Sequence, residues 1–65
     1  MSIQEGTCVL ATRGRSGQMQ AEARYIGSIG IVSEVVRDGA GEYYHVEFLH
    51  GSDHIDKHCL QVIVS

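Results

Sequence analysis

Sixty-five residues make one small domain at most, and a hydrophobic fraction of 43% with 20% charged residues is too apolar for an intrinsically disordered chain. The formal net charge of −3, with five Lys and Arg residues, disfavours nucleic acid as a partner, because phosphate binding depends on clustered basic side chains. No apolar run is long enough for a membrane span and the polar start 1–5 is not typical of a signal peptide, so we expect a cytoplasmic protein without membrane contact.

The first predicted strand is 7–12, a short β-branched and apolar segment that follows Gly6. The segment 13–24 comes next. It is polar, rich in glycine at its start, and carries too little apolar surface for a stable isolated helix. We therefore expect a long first loop, with one helical turn or a loose hairpin inside it.

A β-hairpin over 27–49 is the strongest structural signal in the sequence. Residues 29–37 alternate with period two, Asp38-Gly39-Ala40-Gly41 supplies the glycines that a tight turn needs, and 42–49 form the return strand. This alternation predicts that Val32 and Val36 point away from the core. The side chains predicted to point inward are Ile29, Ile31, Ser33 and Val35 on the first strand, and Tyr44, Val46 and Phe48 on the second.

A second tight turn is predicted at 50–53, followed by a short strand at 54–58 and one 3₁₀ turn at 56–59. The last strand is 60–64. Five short strands in a chain this small are expected to curl into one twisted barrel, because two packed sheets would need separate cores. The sequence therefore predicts a single all-β domain over 1–65, a five-stranded small barrel with a long first loop and a 3₁₀ turn before the last strand.

This layout, over 6–64, resembles the SH3-like barrel superfold. Within it, the stretch 27–32 followed by a hairpin resembles the core of KOW-type modules, a likeness that implies association with RNA or with RNA polymerase-associated proteins. A second likeness is to the small barrel of the NifZ family, which implies an accessory role in the maturation of a metalloprotein. It rests on Gly30-x-Val32-x-x-Val35, Tyr44-His45-Val46-Glu47-Phe48 and Cys59.

A third likeness is to the type II dihydrofolate reductases, which are tetrameric SH3-like barrels. The residues that carry it are Tyr44-x-Val46-Glu47, Gly51-Ser52-x-x-Ile55 and Leu60-x-x-Ile63. That family reads its substrate with a Gln-Ile-Tyr triplet, whereas this chain has His54-Ile55-Asp56. Reductase activity is therefore not expected.

Three histidines recur every four residues near the second turn. His50, His54 and His58, with Cys59 beside the last, are the candidate metal ligands, and zinc or another transition metal is the alternative to a protein without a cofactor. The other interpretation is a set of polar side chains around a turn, since a strand–turn–strand path would separate the rings. His45 is expected to be an exposed strand residue.

The two cysteines, Cys8 and Cys59, lie near the starts of the first and last strands, which are neighbours in such a barrel. Two reduced, mostly buried thiols are the preferred interpretation, although the thiols could approach each other. Lys57 or His58 is the cationic neighbour that a reactive Cys59 would need.

The sequence contains no recognisable catalytic motif, and a lone chain of this size has little room for a ligand pocket, so an enzyme is not expected unless subunits share a site. The predicted function is instead protein binding in an accessory or assembly role, with the partner protein docked through the long loop and the hairpin face. Tyr25, Tyr43 and Leu49 fall outside the predicted core face and would anchor a partner protein, while Arg13 and Arg15 would steer its acidic groups.

An alternative explanation for the exposed aromatic residues is that a small barrel cannot bury every tyrosine. Apolar residues are nevertheless predicted on both faces of the strands. One chain has too few layers to cover both faces, so the sequence also predicts a homo-oligomer.

Overall fold

The structure is a computed structural model, which describes residues 3–15, 17–39 and 41–64. It contains five antiparallel strands and two 3₁₀ turns, which confirms the predicted all-β class. In chain order these are β1 (Cys8–Ala11), the first 3₁₀ turn (Ala23–Tyr25), β2 (Ile29–Asp38), β3 (Gly41–Phe48), β4 (Gly51–Asp56), the second 3₁₀ turn (Lys57–Cys59) and β5 (Leu60–Val64). Ala40 of the predicted hairpin turn lies outside the described residues. Within the described part of the chain, no helix has the length and apolar character that a membrane crossing requires.

The strands form one sheet in the order β4-β3-β2-β1-β5. The long first loop bonds to the edge strand β4, and the second 3₁₀ turn bonds to the residue that follows β1. The amide of Asp56, at the end of β4, donates to the carbonyl of Met19 at 2.6 Å, and the amide of Thr12 donates to the carbonyl of Cys59 at 2.9 Å. The bond to Met19 satisfies an edge-strand amide that would otherwise be free to pair with another chain.

The core lies on one face of the sheet and beneath the long loop. The predicted inward side chains of β3 are confirmed, since Tyr44 and Val46 are buried and Phe48 packs against the core. The buried apolar residues are Val9, Ala11, Ala21, Tyr25, Val32, Tyr44, Val46, Ile55 and Cys59.

The prediction of which β2 side chains point inward is wrong for the first half of the strand. Val32 is 1% exposed, whereas Ile29 and Ile31 are 58% and 47% exposed. The cause is a β-bulge after Val32, where Ser33 is the extra residue and the register against β3 shifts. The bulge reverses the alternation, so that Val35 packs against the core as predicted.

The bend where the long loop enters β2 depends on two glycines. Gly27 has a φ of +90°, in the left-handed region that favours glycine. A Cβ atom on Gly30 would lie 2.6 Å from Cγ1 of Val46 and 2.9 Å from the carbonyl oxygen of Glu47. β2 and β3 therefore approach each other more closely at Gly30 than a side chain would allow.

The second turn is also displaced from its predicted position. It consists of Leu49 and His50, so β4 begins at Gly51 instead of at 54. With the turn in this position, the register between β3 and β4 places His45 directly opposite His54. The second 3₁₀ turn is where the sequence predicts it, capped by the side chain of Asp56.

Candidate protein-binding groove

An open groove of about 520 Å³ lies between the end of the long loop and the turn that joins β3 to β4. One side consists of Arg24, Tyr25 and 27–29, and the other of 48–50. We call this the Leu49 groove. Its loop side is held in place because the amide of Ser28 donates to the carbonyl of Tyr25 at 2.9 Å, which closes the chain after the first 3₁₀ turn.

Three flat groups are layered in the floor of the Leu49 groove. The ring of Tyr25 stacks on the ring of Phe48, with centroids 4.4 Å apart and planes 9° from parallel. The guanidinium group of Arg24 lies over the ring of Tyr25, with its carbon atom 4.6 Å from the ring centroid. Tyr25 is only 5% exposed, so its prediction as a residue outside the core is wrong; the non-local contact with Phe48 buries it.

The rim of the Leu49 groove is apolar and strongly exposed. Leu49 is 89% exposed and Ile29, opposite it, is 58% exposed. Arg24 and His50 are the basic side chains of the groove. The Arg24 guanidinium contacts the Glu22 carboxylate at 3.2 Å, but both side chains are exposed, and such surface pairs contribute little to stability.

The five predicted partner-binding residues do not form one surface. Tyr25 and Leu49 share the Leu49 groove, whereas Tyr43 lines a second concavity of about 310 Å³ that includes Met19 of the long loop. Arg13 and Arg15 are exposed in the long loop, and neither is among the residues that line the two concavities.

The predicted metal ligands do not converge in the structure. His50 lies in the Leu49 groove, His54 on the outer face of β4, and Cys59 in the core. Nδ1 of His58 lies 3.0 Å from a carboxylate oxygen of Asp56. Among the described residues, no group of three or more His, Cys, Asp or Glu side chains is placed to hold a metal ion. Because β4 is extended, a spacing of four residues separates the side chains by about 13 Å along the strand.

The two cysteines are free thiols at opposite ends of β5. Because β1 and β5 are antiparallel, Cys8 lies opposite Val64, and Cys59 lies beyond the other end of the strand. The two thiols therefore do not approach each other, which was the alternative considered from the sequence. Burial raises the pKa of the Cys59 thiol, and the negative charge of Asp56 adds to the effect. A raised pKa makes the reactive thiolate scarcer.

A hydrogen-bonded network joins the ends of β2 and β3. The hydroxyl of Tyr44 donates to one carboxylate oxygen of Glu42, and Nε of Arg37 donates to the other at 2.9 Å. Burial, followed by the bond to Glu42, raises the pKa of Tyr44 to about 12. The bonds from Tyr44 and Arg37 lower the pKa of Glu42. The network fastens the hairpin beside its turn, where Arg37 and Glu42 are register partners.

The sequence did not reveal a polar cluster on the outer face of the sheet. The rings of His45 and His54 lie side by side with centroids 4.7 Å apart, and Oγ of Ser33 lies 2.7 Å from Nδ1 of His45. His45 is half-buried, not exposed as predicted. The signal that would have revealed the pair is the hairpin register, which depends on placing the turn at Leu49 and His50.

Comparison with known proteins assigns no family. No family model matches the chain, and no curated protein or solved structure is significantly similar to it. The functional inference therefore rests on the fold and on the geometry of the described residues.

Proposed function

We propose that this chain is an SH3-like barrel that works as a non-enzymatic binding module in an accessory or assembly role. It docks a partner protein in the Leu49 groove, between the long loop and the β3–β4 turn. The strand order β4-β3-β2-β1-β5, the long first loop and the 3₁₀ turn before β5 support the SH3-like assignment, because that superfold has the same layout.

The observation that carries the proposal is the exposure of Leu49. An apolar side chain that is 89% exposed contributes almost no hydrophobic free energy to folding. Leu49 nevertheless lines a groove with an aromatic floor. Burying a leucine side chain completely contributes about 2 kcal/mol, so covering Leu49 and Ile29 together would supply a substantial part of a binding free energy.

The groove also indicates the chemistry of the partner. Its apolar surface fits an aliphatic or aromatic side chain, and Arg24 and His50 fit an acidic residue next to that anchor. Arg24 is available for this role because its contact with Glu22 is solvent-exposed and easily exchanged for another carboxylate. The expected partner is therefore a protein segment with a large apolar residue flanked by Asp or Glu.

A displayed random-peptide library selected on the immobilised protein tests the proposal. We expect enriched peptides to share an apolar anchor and an acidic neighbour. Leu49→Ser should weaken their binding by at least about tenfold in fluorescence polarisation, since a central apolar anchor typically accounts for more than about 1.4 kcal/mol. Arg24→Gln should weaken binding less, and chiefly at low salt.

Tyr43→Ala is the matched control, because Tyr43 is a half-buried aromatic residue that does not line the Leu49 groove. It should leave the affinity of the enriched peptides unchanged. Enriched peptides that bind Leu49→Ser as tightly as the wild type would exclude the groove. A selection that enriches no peptide above an empty matrix would also count against the proposal.

A further inference from the structure

The outer face of the sheet carries a pair of histidines that lies outside the Leu49 groove. His45 on β3 and His54 on β4 are directly opposite each other in the strand register. Side chains in such positions start about 5 Å apart at Cβ and project from the same face of the sheet. The two imidazole rings accordingly lie with centroids 4.7 Å apart and planes 35° from parallel.

The hydroxyl group of Ser33 contacts both the ring and the backbone of His45. The hydroxyl of Ser33 donates its single hydrogen to the carbonyl oxygen of His45 at 3.1 Å. Oγ of Ser33 also lies 2.7 Å from Nδ1 of His45, where it accepts a hydrogen bond when the ring hydrogen is on Nδ1. In the tautomer that carries its hydrogen on Nδ1, Nε2 keeps the lone pair that a metal ion needs.

The ring of His54 contacts a neighbouring aromatic side chain. Tyr43 meets His54 edge to face, with centroids 5.9 Å apart and planes at 78°. β3 is paired on both sides, by β2 and β4, so the backbone that carries His45 is held in the middle of the sheet. The exposed carboxylate of Glu34, the register partner of His45 on β2, adds negative charge to the same region.

We propose that His45 and His54 form a two-ligand site on the outer face of the sheet for a divalent transition-metal ion. Imidazole suits Cu²⁺, Ni²⁺ and Zn²⁺, and the general order of affinities places Cu²⁺ first. Two imidazole nitrogens on one ion lie about 3 Å apart, since each bond to the metal is about 2 Å long. With centroids 4.7 Å apart, the two rings are within reach of one such ion.

The site differs from the one predicted from the sequence, because it uses His45 and excludes His50, His58 and Cys59. With two protein ligands, its remaining coordination positions are open to water or to a donor from another molecule. Ser33 acts as a positioning residue, since its hydroxyl group contacts Nδ1 of His45 without touching the metal ion.

Titration of the full chain with Ni²⁺, and separately with Cu²⁺, by isothermal calorimetry tests the proposal. We expect one ion per chain, and His54→Asn should weaken binding by at least about tenfold, because the two ligands then no longer act together. His58→Asn and His50→Asn are matched controls that remove a neighbouring exposed imidazole, and both should bind as the wild type. Ser33→Ala should weaken binding several-fold while keeping the stoichiometry.

A second readout locates the ion directly. Paramagnetic Cu²⁺ should broaden the NMR signals of His45, His54 and Tyr43 before those of His50 or His58. Wild-type affinity in His54→Asn, or a loss of binding confined to His58→Asn, would overturn the site. Circular dichroism of each variant shows whether the sheet is intact, and Cu²⁺ broadening in the wild type is informative even if one variant fails to fold.

Discussion

The two core tyrosines, Tyr44 and Tyr25, differ in whether the hydroxyl group has a hydrogen-bond partner. The hydroxyl of Tyr44 donates to Glu42, whereas the hydroxyl of Tyr25 is buried against Gly51 with no hydrogen-bond partner among the described residues. A buried hydroxyl without a partner costs free energy, while a bond to a charged acceptor stabilises the fold. The same substitution should therefore have opposite effects at the two positions.

Tyr44→Phe should lower the free energy of unfolding by about 2 kcal/mol, because it removes a bond to a carboxylate. Tyr25→Phe should leave it unchanged or raise it slightly, since the ring keeps its stack on Phe48 and the unpaired hydroxyl is gone. Denaturant unfolding followed by circular dichroism measures both. Equal destabilisation by the two changes would contradict this account of the hydroxyl groups.

The pH dependence of the free energy of unfolding provides a second test of the role of Tyr44. Its pKa is about 12 in the folded chain against 10.0 ordinarily, so folding favours the protonated form. The contribution of the protonated Tyr44 hydroxyl to the free energy of unfolding is complete below about pH 10 and is lost as the pH rises towards about 12. The stability advantage of the wild type over Tyr44→Phe should therefore narrow by about 1 kcal/mol per pH unit in this window. A constant difference would be inconsistent with the raised pKa.

At the scale of elements, the long first loop is held by its bonds to β4. The amide of Glu22 donates to a carboxylate oxygen of Asp53 at 2.9 Å, and the carbonyl of Met19 accepts from the amide of Asp56 at 2.6 Å. Ala21, between these contacts, is buried in the core. The loop therefore closes the core as much as any strand does.

Asp53→Ala should release the middle of this loop. We expect the free energy of unfolding to fall by about 1 kcal/mol, since the change removes the solvent-exposed bonds of the carboxylate to the amides of Glu22 and His54. Hydrogen exchange at the amide of Glu22 should quicken more than exchange in β2 and β3. Glu47→Ala, which removes an exposed carboxylate from neighbouring β3, is the control and should leave the loop amides unchanged. Unaltered exchange at Glu22 in Asp53→Ala would show that the loop is held by other contacts.

The whole molecule is too thin to cover its apolar residues. Its principal extents are 30 × 25 × 18 Å. Ile29 and Ile31 of β2 and Val62 and Ile63 of β5 are each more than 40% exposed, on strands that flank β1. Apolar groups repeated across one sheet favour contact with a second such surface, and a second copy of this chain carries the same one.

Light scattering should therefore give a mass above the 7.1 kDa of one chain, increasing with concentration. Ile31→Lys should reduce it towards the monomer by placing a charge in the contact. Met19→Lys is the comparison, because Met19 is an exposed apolar residue of the long loop and lies outside these strands. A wild type that stays at 7.1 kDa at all concentrations would exclude self-association through these apolar residues.

The local features of this protein were predictable from its sequence. The β2–β3 hairpin was predictable because Asp-Gly turns and period-two alternation act within a few residues. The second 3₁₀ turn and the bounds of β5 agree with prediction for the same reason. Leu49, an apolar residue beside a turn, could likewise be identified as exposed and as a candidate binding residue.

Tertiary structure decided what depends on pairing between distant segments. The bulge at Ser33 reversed the inward face of β2, and the shorter turn at Leu49 and His50 set the register that brings His45 beside His54. Stacking on Phe48 buried Tyr25. The physical reason is that one extra residue in a strand or a turn changes every later pairing, and its free energy comes from contacts across the sheet that no local pattern contains.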